Sequence, residues 1–127
     1  MKTLKEEVKF DCSADELWAI LSDVVRCDWV PTIEKIELED DLRHFEMTGM
    51  GKITEKILKQ DHTSMTLQYS AIQTPAPIEH HLATMEVAPL NDQECRLRWT
   101  TEISPDIFAD DIHQGMLLSI EGIKTVI

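Results

Sequence analysis

The chain has 127 residues, of which 43% are hydrophobic and 28% charged, and it carries a formal net charge of −12 at pH 7. That length fits a single domain over residues 1–127 whose core is large enough to stand without staples. So acidic a balance argues against nucleic acid or an anionic membrane as partner, because neutralising phosphates takes clustered Lys and Arg.

Residues 3–12 alternate, with Leu4, Val8, Phe10 and Cys12 on one face and Lys5, Glu7, Lys9 and Asp11 on the other. That is the period of a half-buried strand, and Glu6 breaks it by falling among the apolar residues. Ser13-Ala14-Asp15-Glu16 reads as a capping box, followed by Leu17, Trp18, Ile20 and Leu21 at helical spacing. A helix is expected from Ala14 to about Asp23. Residues 24–30 can carry another turn or two before Pro31 disfavours helical geometry at Val30.

From Thr32 the texture changes to strands joined by short polar turns. Residues 32–39, 42–48 and 52–60 form successive hairpins around Asp40-Asp41 and Gly49-Met50-Gly51. Residues 65–72 follow, with Met65, Leu67, Tyr69 and Ala71 on one face. Thr74-Pro75-Ala76-Pro77 marks a longer loop. Residues 78–87 and 94–103 make the last pair, turning around residues 89–92. Residues 104–127 read as one amphipathic helix, capped by Ser104 with Pro105 in its first turn. Its apolar arc carries Phe108, Ile112, Met116, Ile120, Ile123 and Ile127. Gly115 and Gly122 lie along one edge of that arc with Ser119 between them. Each glycine should cost about 1 kcal/mol against alanine, so the edge either leaves a gap for a ligand or admits a close neighbour.

This tally of one strand, two helical stretches, six strands in meander order and a long helix is an α+β layer design, its antiparallel sheet curled around the last helix. No run approaches the roughly 18 apolar residues of a membrane span. Residues 1–7 lack a signal-peptide core, so a cytoplasmic location is expected. Cys12, Cys27 and Cys95 are odd in number and widely spaced, which argues against a disulfide framework or a zinc site.

Several stretches resemble the helix-grip proteins of the START-related, birch-pollen-allergen-like superfamily (SRPBCC), in particular its polyketide cyclase/dehydrase-like branch. Residues 8–23 are similar to the opening strand and first helix, including Trp18 and Asp23; Trp29-Val30-Pro31 resembles the Trp-x-Pro before the second strand. Residues 51–57 resemble its glycine-led strand with an internal Glu, here Glu55, and Tyr69-Ser70, Trp99 and residues 119–124 fit later positions. The departures are Cys12-Ser13 where the family has a proline, Lys56 in place of an Arg, and a final helix ending at Ile127. The resemblance implies a seven-stranded curved antiparallel sheet gripping the C-terminal helix around a cavity for a hydrophobic small molecule; from the residues themselves no cofactor and no metal is expected. It leaves the reaction open, since fold alone does not decide function.

The candidate site residues are the polar and aromatic groups on the strands' apolar faces, Glu6, Glu55, Tyr69, His81, Trp99 and Thr101, with Trp29 as part of a lid and Phe108, Ile112, Gly115, Met116 and Ser119 on the helix. Each has a plainer reading: Glu6 and Glu55 solvated at a rim, Tyr69 and Trp99 as core, His81 as a satisfied core histidine, Trp29 as packing under the first helix. His80 and His81 are adjacent, so on a strand they face opposite ways and cannot share a metal. The favoured reading is a binding or transfer module for a lipid or aromatic ligand, as a monomer or homodimer. Its rival is a cyclase or dehydratase using Glu55, Tyr69 or His81 as acid and base, and a third reading is an acidic surface that binds a protein.

Overall fold

The computed structural model describes residues 1–127. Its elements are β1 (Lys2–Phe10), α1 (Ala14–Ser22), β2 (Ile33–Glu39), β3 (Leu42–Met47), β4 (Gly51–Asp61), β5 (Thr66–Gln73), β6 (His80–Asn91), β7 (Glu94–Ser104), a 3-10 turn (Asp106–Phe108) and α2 (Ala109–Lys124). The strands form one antiparallel sheet in the order β1-β7-β6-β5-β4-β3-β2, so β2 to β7 run as a meander and β1 closes onto β7. This is the α+β helix-grip architecture, and no helix is long and apolar enough to cross a membrane.

Local chemistry accounts for most boundaries. Ser13 caps α1 by accepting the Glu16 amide at 3.1 Å. The second helical stretch expected after it does not form: residues 24–30 make isolated turns, closed by Arg26 N–H to Asp23 O and Val30 N–H to Cys27 O. Met65 has φ of 52°, outside the extended region, so β5 starts one residue later than the alternation suggests. Pro89 lies inside β6 rather than in a turn. Two residues before it, Val87 donates its amide to Met65 O at 3.0 Å. Pro89 would turn its missing N–H to that same side, past the end of β5, so no ladder bond is lost.

The last helix is shorter than its periodicity suggests. Ser104 cannot cap it because Ser104 still belongs to β7, registered opposite His80 with its carbonyl accepting the Glu79 amide at 2.8 Å. The Ser104–Pro105 peptide is cis, the 3-10 turn follows, and α2 begins only at Ala109. Sixteen residues give it a length of about 24 Å.

Packing divides into two clusters. The larger joins Phe10, Leu17, Trp18 and Leu21 to Leu67, Met85, Leu97 and Trp99 and to Met116, Ile120 and Ile123 of α2. The smaller, Ile33, Phe45 and Ile53, sits on β2 to β4. Register shifts between Thr54 and Glu55 and between Ile57 and Lys59 bend β4 between the two, and a bulge of that kind sharpens local twist. The first half of α2 spans the interval without filling it.

Candidate functional site

That interval is a cavity of about 350 Å³ lined by 27 residues, 15 of them hydrophobic. It lies at the lower end of the roughly 300–1,000 Å³ typical of small-molecule sites. Its walls are the concave face of the sheet, residues 111–119 of α2, and the loop carrying Trp29, Val30 and Pro31. A second concavity of about 430 Å³ lies among Thr32–Lys35 and Glu46–Gly51, but only two of its nine lining residues are hydrophobic. Size favours it, yet its polar lining makes it a groove at the sheet edge and a poor place for an apolar molecule.

At the sheet side of the cavity three side chains converge. Arg43 and Glu55 are direct partners across β3 and β4, and Arg43 Nε donates to Glu55 Oε1 at 2.8 Å. The pair is well buried, with 11% and 14% of the two side chains exposed. Arg43 Nη1 also donates to the Val24 carbonyl at 3.2 Å, and the guanidinium lies over the Tyr69 ring, 4.6 Å from its centroid. A buried carboxylate is tolerable only with such company. Burial still pushes the Glu55 carboxyl above its ordinary value, with the charge and hydrogen bond of Arg43 opposing. Burial likewise raises Tyr69, Glu55 adding to the effect while Arg43 and Trp99 oppose it, so the phenol stays neutral and keeps its proton.

His81 is held differently. The main-chain register of β5 with β6 runs only from Thr66↔Glu86 to Tyr69↔Ala83. Beyond it the Ala71 amide donates to His81 Nδ1 at 2.8 Å and the Ser70 hydroxyl donates to the His81 carbonyl. The imidazole thus stands in for a strand partner. Burial first, and the neighbouring His80 second, push its pKa down to about 4. A neutral ring whose Nδ1 accepts carries its proton on Nε2, which makes His81 a hydrogen-bond donor at the cavity wall. His80 points the other way, to Glu102 at 3.0 Å.

Trp29, Trp99, Thr101, Ile112, Gly115, Met116 and Ser119 also line the cavity, together with Glu55, Tyr69 and His81. The indole nitrogens of Trp29 and Trp99 are sealed from solvent without a partner, although Trp99 stands close enough to Tyr69 to influence it. Two expected residues lie outside the lining. Glu6 is taken by His113 of α2 at 2.6 Å, so it fastens the helix to β1. Phe108 ends the 3-10 turn, before α2 reaches the cavity. The glycine edge splits into both of its alternatives: a Cβ on Gly115 would meet nothing within 4 Å, whereas one on Gly122 would sit 1.9 Å from the Trp29 carbonyl oxygen.

Of the three converging side chains, Arg43 is the one that the reading from sequence passed over. Its signal was present, because Arg43, Phe45 and Met47 share one parity on β3, which places a cation on an apolar face. Taken together the site offers an apolar volume with donors at Arg43, Tyr69 and His81 and an acceptor at Glu55. It can hold and orient a small molecule, and it contains titratable groups whose surroundings move them from their ordinary values.

Comparison with known proteins agrees with this architecture. No curated protein matches the sequence. Among solved structures, XoxI from Bacillus cereus aligns with a TM-score of 0.90 at 17% identity, covering 99% of this chain and 95% of its own. An uncharacterised protein from Bacillus thuringiensis gives 0.88 at 16% identity with 98% of both chains covered. Norcoclaurine synthase from Thalictrum flavum, in complex with dopamine and hydroxybenzaldehyde, gives 0.78 at 18% identity, covering 98% of this chain and 85% of its own. At such identities the likeness is one of fold. The model of the family described as polyketide cyclase / dehydrase and lipid transport matches residues 1–119, and the chain belongs to that family.

Proposed function

We propose that the protein binds a hydrophobic small molecule, a lipid or an aromatic compound, in the cavity between sheet and α2. The observation that carries this reading is an apolar space of about 350 Å³ with an isolated buried polar cluster at one wall. Such a lining removes apolar surface from water and uses few polar groups for orientation. The complex of norcoclaurine synthase with two small aromatics supports it by analogy of fold. The test is native mass spectrometry of the purified protein, then thermal-shift screening with fatty acids and aromatics. Gly115→Phe serves as a cavity-filling control: it should remain folded and lose the ligand response. A protein that carries nothing and responds to no compound ends this reading.

A second reading is acid–base catalysis on a polyketide-like substrate, favoured by one observation: Glu55, Tyr69 and His81 line the same cavity. Glu55 would take a proton, while neutral Tyr69 and His81 would donate hydrogen bonds to a developing oxyanion. Incubation with a poly-β-keto thioester, comparing wild type with Glu55→Gln and Tyr69→Phe, tests it. Equal product from all three proteins removes these residues from any reaction.

A further inference from the structure

The arrangement of Arg43 and Glu55 bears on which hydrophobic molecules fit, an inference that rests on the cavity reading above. The pair uses one carboxylate oxygen and the Nε of the guanidinium, and Nη1 goes to Val24 O. Glu55 Oε2 and Arg43 Nη2 make no hydrogen bond within the chain. Neither is among the sealed, unpartnered polar atoms, which are the two indole nitrogens alone, and both residues line the cavity. An open acceptor therefore lies beside an open donor, on groups whose opposite charges already balance. Of the other charged groups of the lining, Arg26 is neutralised by Asp28 at 2.7 and 3.0 Å, while Asp111 has no ion-pair partner but belongs to the facing wall, on the first turn of α2, and not to the sheet wall that carries the pair.

A net charge brought to this wall has no free counter-charge. An anion that approaches Arg43 meets Glu55, a cation that approaches Glu55 meets Arg43, and neither leaves bulk water without loss. A hydroxyl suits both atoms, since it donates one proton and accepts with its lone pairs. We propose that the cavity selects an uncharged amphiphile, an apolar body bearing a phenolic or alcoholic hydroxyl that donates to Glu55 Oε2 and accepts from Arg43. The neutral Tyr69 hydroxyl and the His81 Nε2–H supply further donors for a second oxygen on the same ligand.

The test is calorimetric titration of the whole protein with five probes on one skeleton: naphthalene, 2-naphthol, 2-methoxynaphthalene, 2-naphthoate and 2-naphthylmethylamine. 2-Naphthol should bind at least about tenfold more tightly than the methyl ether and both ions, the fold-change that one hydrogen bond to a charged group supplies. In the double variant Arg43→Met/Glu55→Leu the hydroxyl preference should fall below about threefold while naphthalene binds as well or better. Should that variant not fold, the ranking on the wild-type protein decides alone. Equal binding of all five probes, or tighter binding of either ion, overturns the proposal and leaves the cavity reading intact. No binding by any probe overturns both.

Discussion

Replacing the two helix glycines with alanine should move stability in opposite directions. Alanine is the better helix former by about 1 kcal/mol, and that gain applies at both positions. At Gly115 nothing lies within 4 Å of the new Cβ, so the gain stands alone. At Gly122 the Cβ would lie 1.9 Å from the Trp29 carbonyl oxygen and 2.9 Å from its carbon. Ordinary contact begins near 3.4 Å, so main chain must retreat by about 1.5 Å, since no flexible side-chain end is there to yield. Overpacking of this kind costs about 1–3 kcal/mol, and because backbone is involved the upper part of that range applies, leaving Gly122→Ala destabilised by about 1–2 kcal/mol. For a chain of this size the thermal midpoint should fall by roughly 3–10 °C, against a rise of roughly 3–5 °C for Gly115→Ala. Thermal melts followed by circular dichroism measure both, and hydrogen exchange should quicken in residues 23–32 of Gly122→Ala alone. A Gly122→Ala protein as stable as wild type would refute the close contact, and a destabilised Gly115→Ala would refute the open wall.

The pH dependence of stability should carry the mark of His81. Its folded pKa of about 4 lies below the ordinary 6.5, so stability is fully present above pH 6.5 and is lost as pH falls towards 4, by at most about 3 kcal/mol. His81→Gln should flatten urea midpoints across that window; an unchanged slope would mean that the ring is free to charge. Arg43→Met leaves Glu55 buried without its cation and should cost about 3–5 kcal/mol in urea unfolding, most of which Arg43→Met/Glu55→Leu should restore. A single variant within 1 kcal/mol of wild type contradicts the buried pair. The three cysteines are free and burial raises each thiol, Cys95 to about 12, so iodoacetamide at neutral pH should label the folded protein slowly. Peptide mapping should find half-buried Cys27 modified first, and early labelling of Cys95 would contradict its burial.

The features legible in the sequence are those that depend on neighbours in the chain. Alternation placed Tyr69, Trp99 and Thr101 on the concave side, and Asp40-Asp41 marked its hairpin without reference to distant residues. The misreadings occur where a remote partner competes. Ser104-Pro105 has the local chemistry of a helix start, yet the Glu79 amide, 25 residues earlier and just ahead of β6, claims the Ser104 carbonyl. Glu6 looked like a cavity carboxylate until His113, 107 positions away, took it. Gly115 and Gly122 are equivalent on a helical wheel and differ only because an irregular loop brings Trp29 against one of them. No periodicity encodes the path of that loop.

The pairing of Arg43 with Glu55 has a corollary for how such a binding wall can diversify. The two residues face one another because the turn between β3 and β4 sets Met47 opposite Gly51, and the ladder counts back from there to Arg43 and Glu55. Strand faces alternate with every residue, so a register slip of one turns a side chain from the cavity to solvent. Inserting a single residue near Gly49 would thus carry either the cation or the carboxylate out of the wall and leave its former partner as an uncompensated charge facing the ligand. On the proposed binding function, turn length at the surface would act as a coarse dial on the sign of the charge that this wall presents.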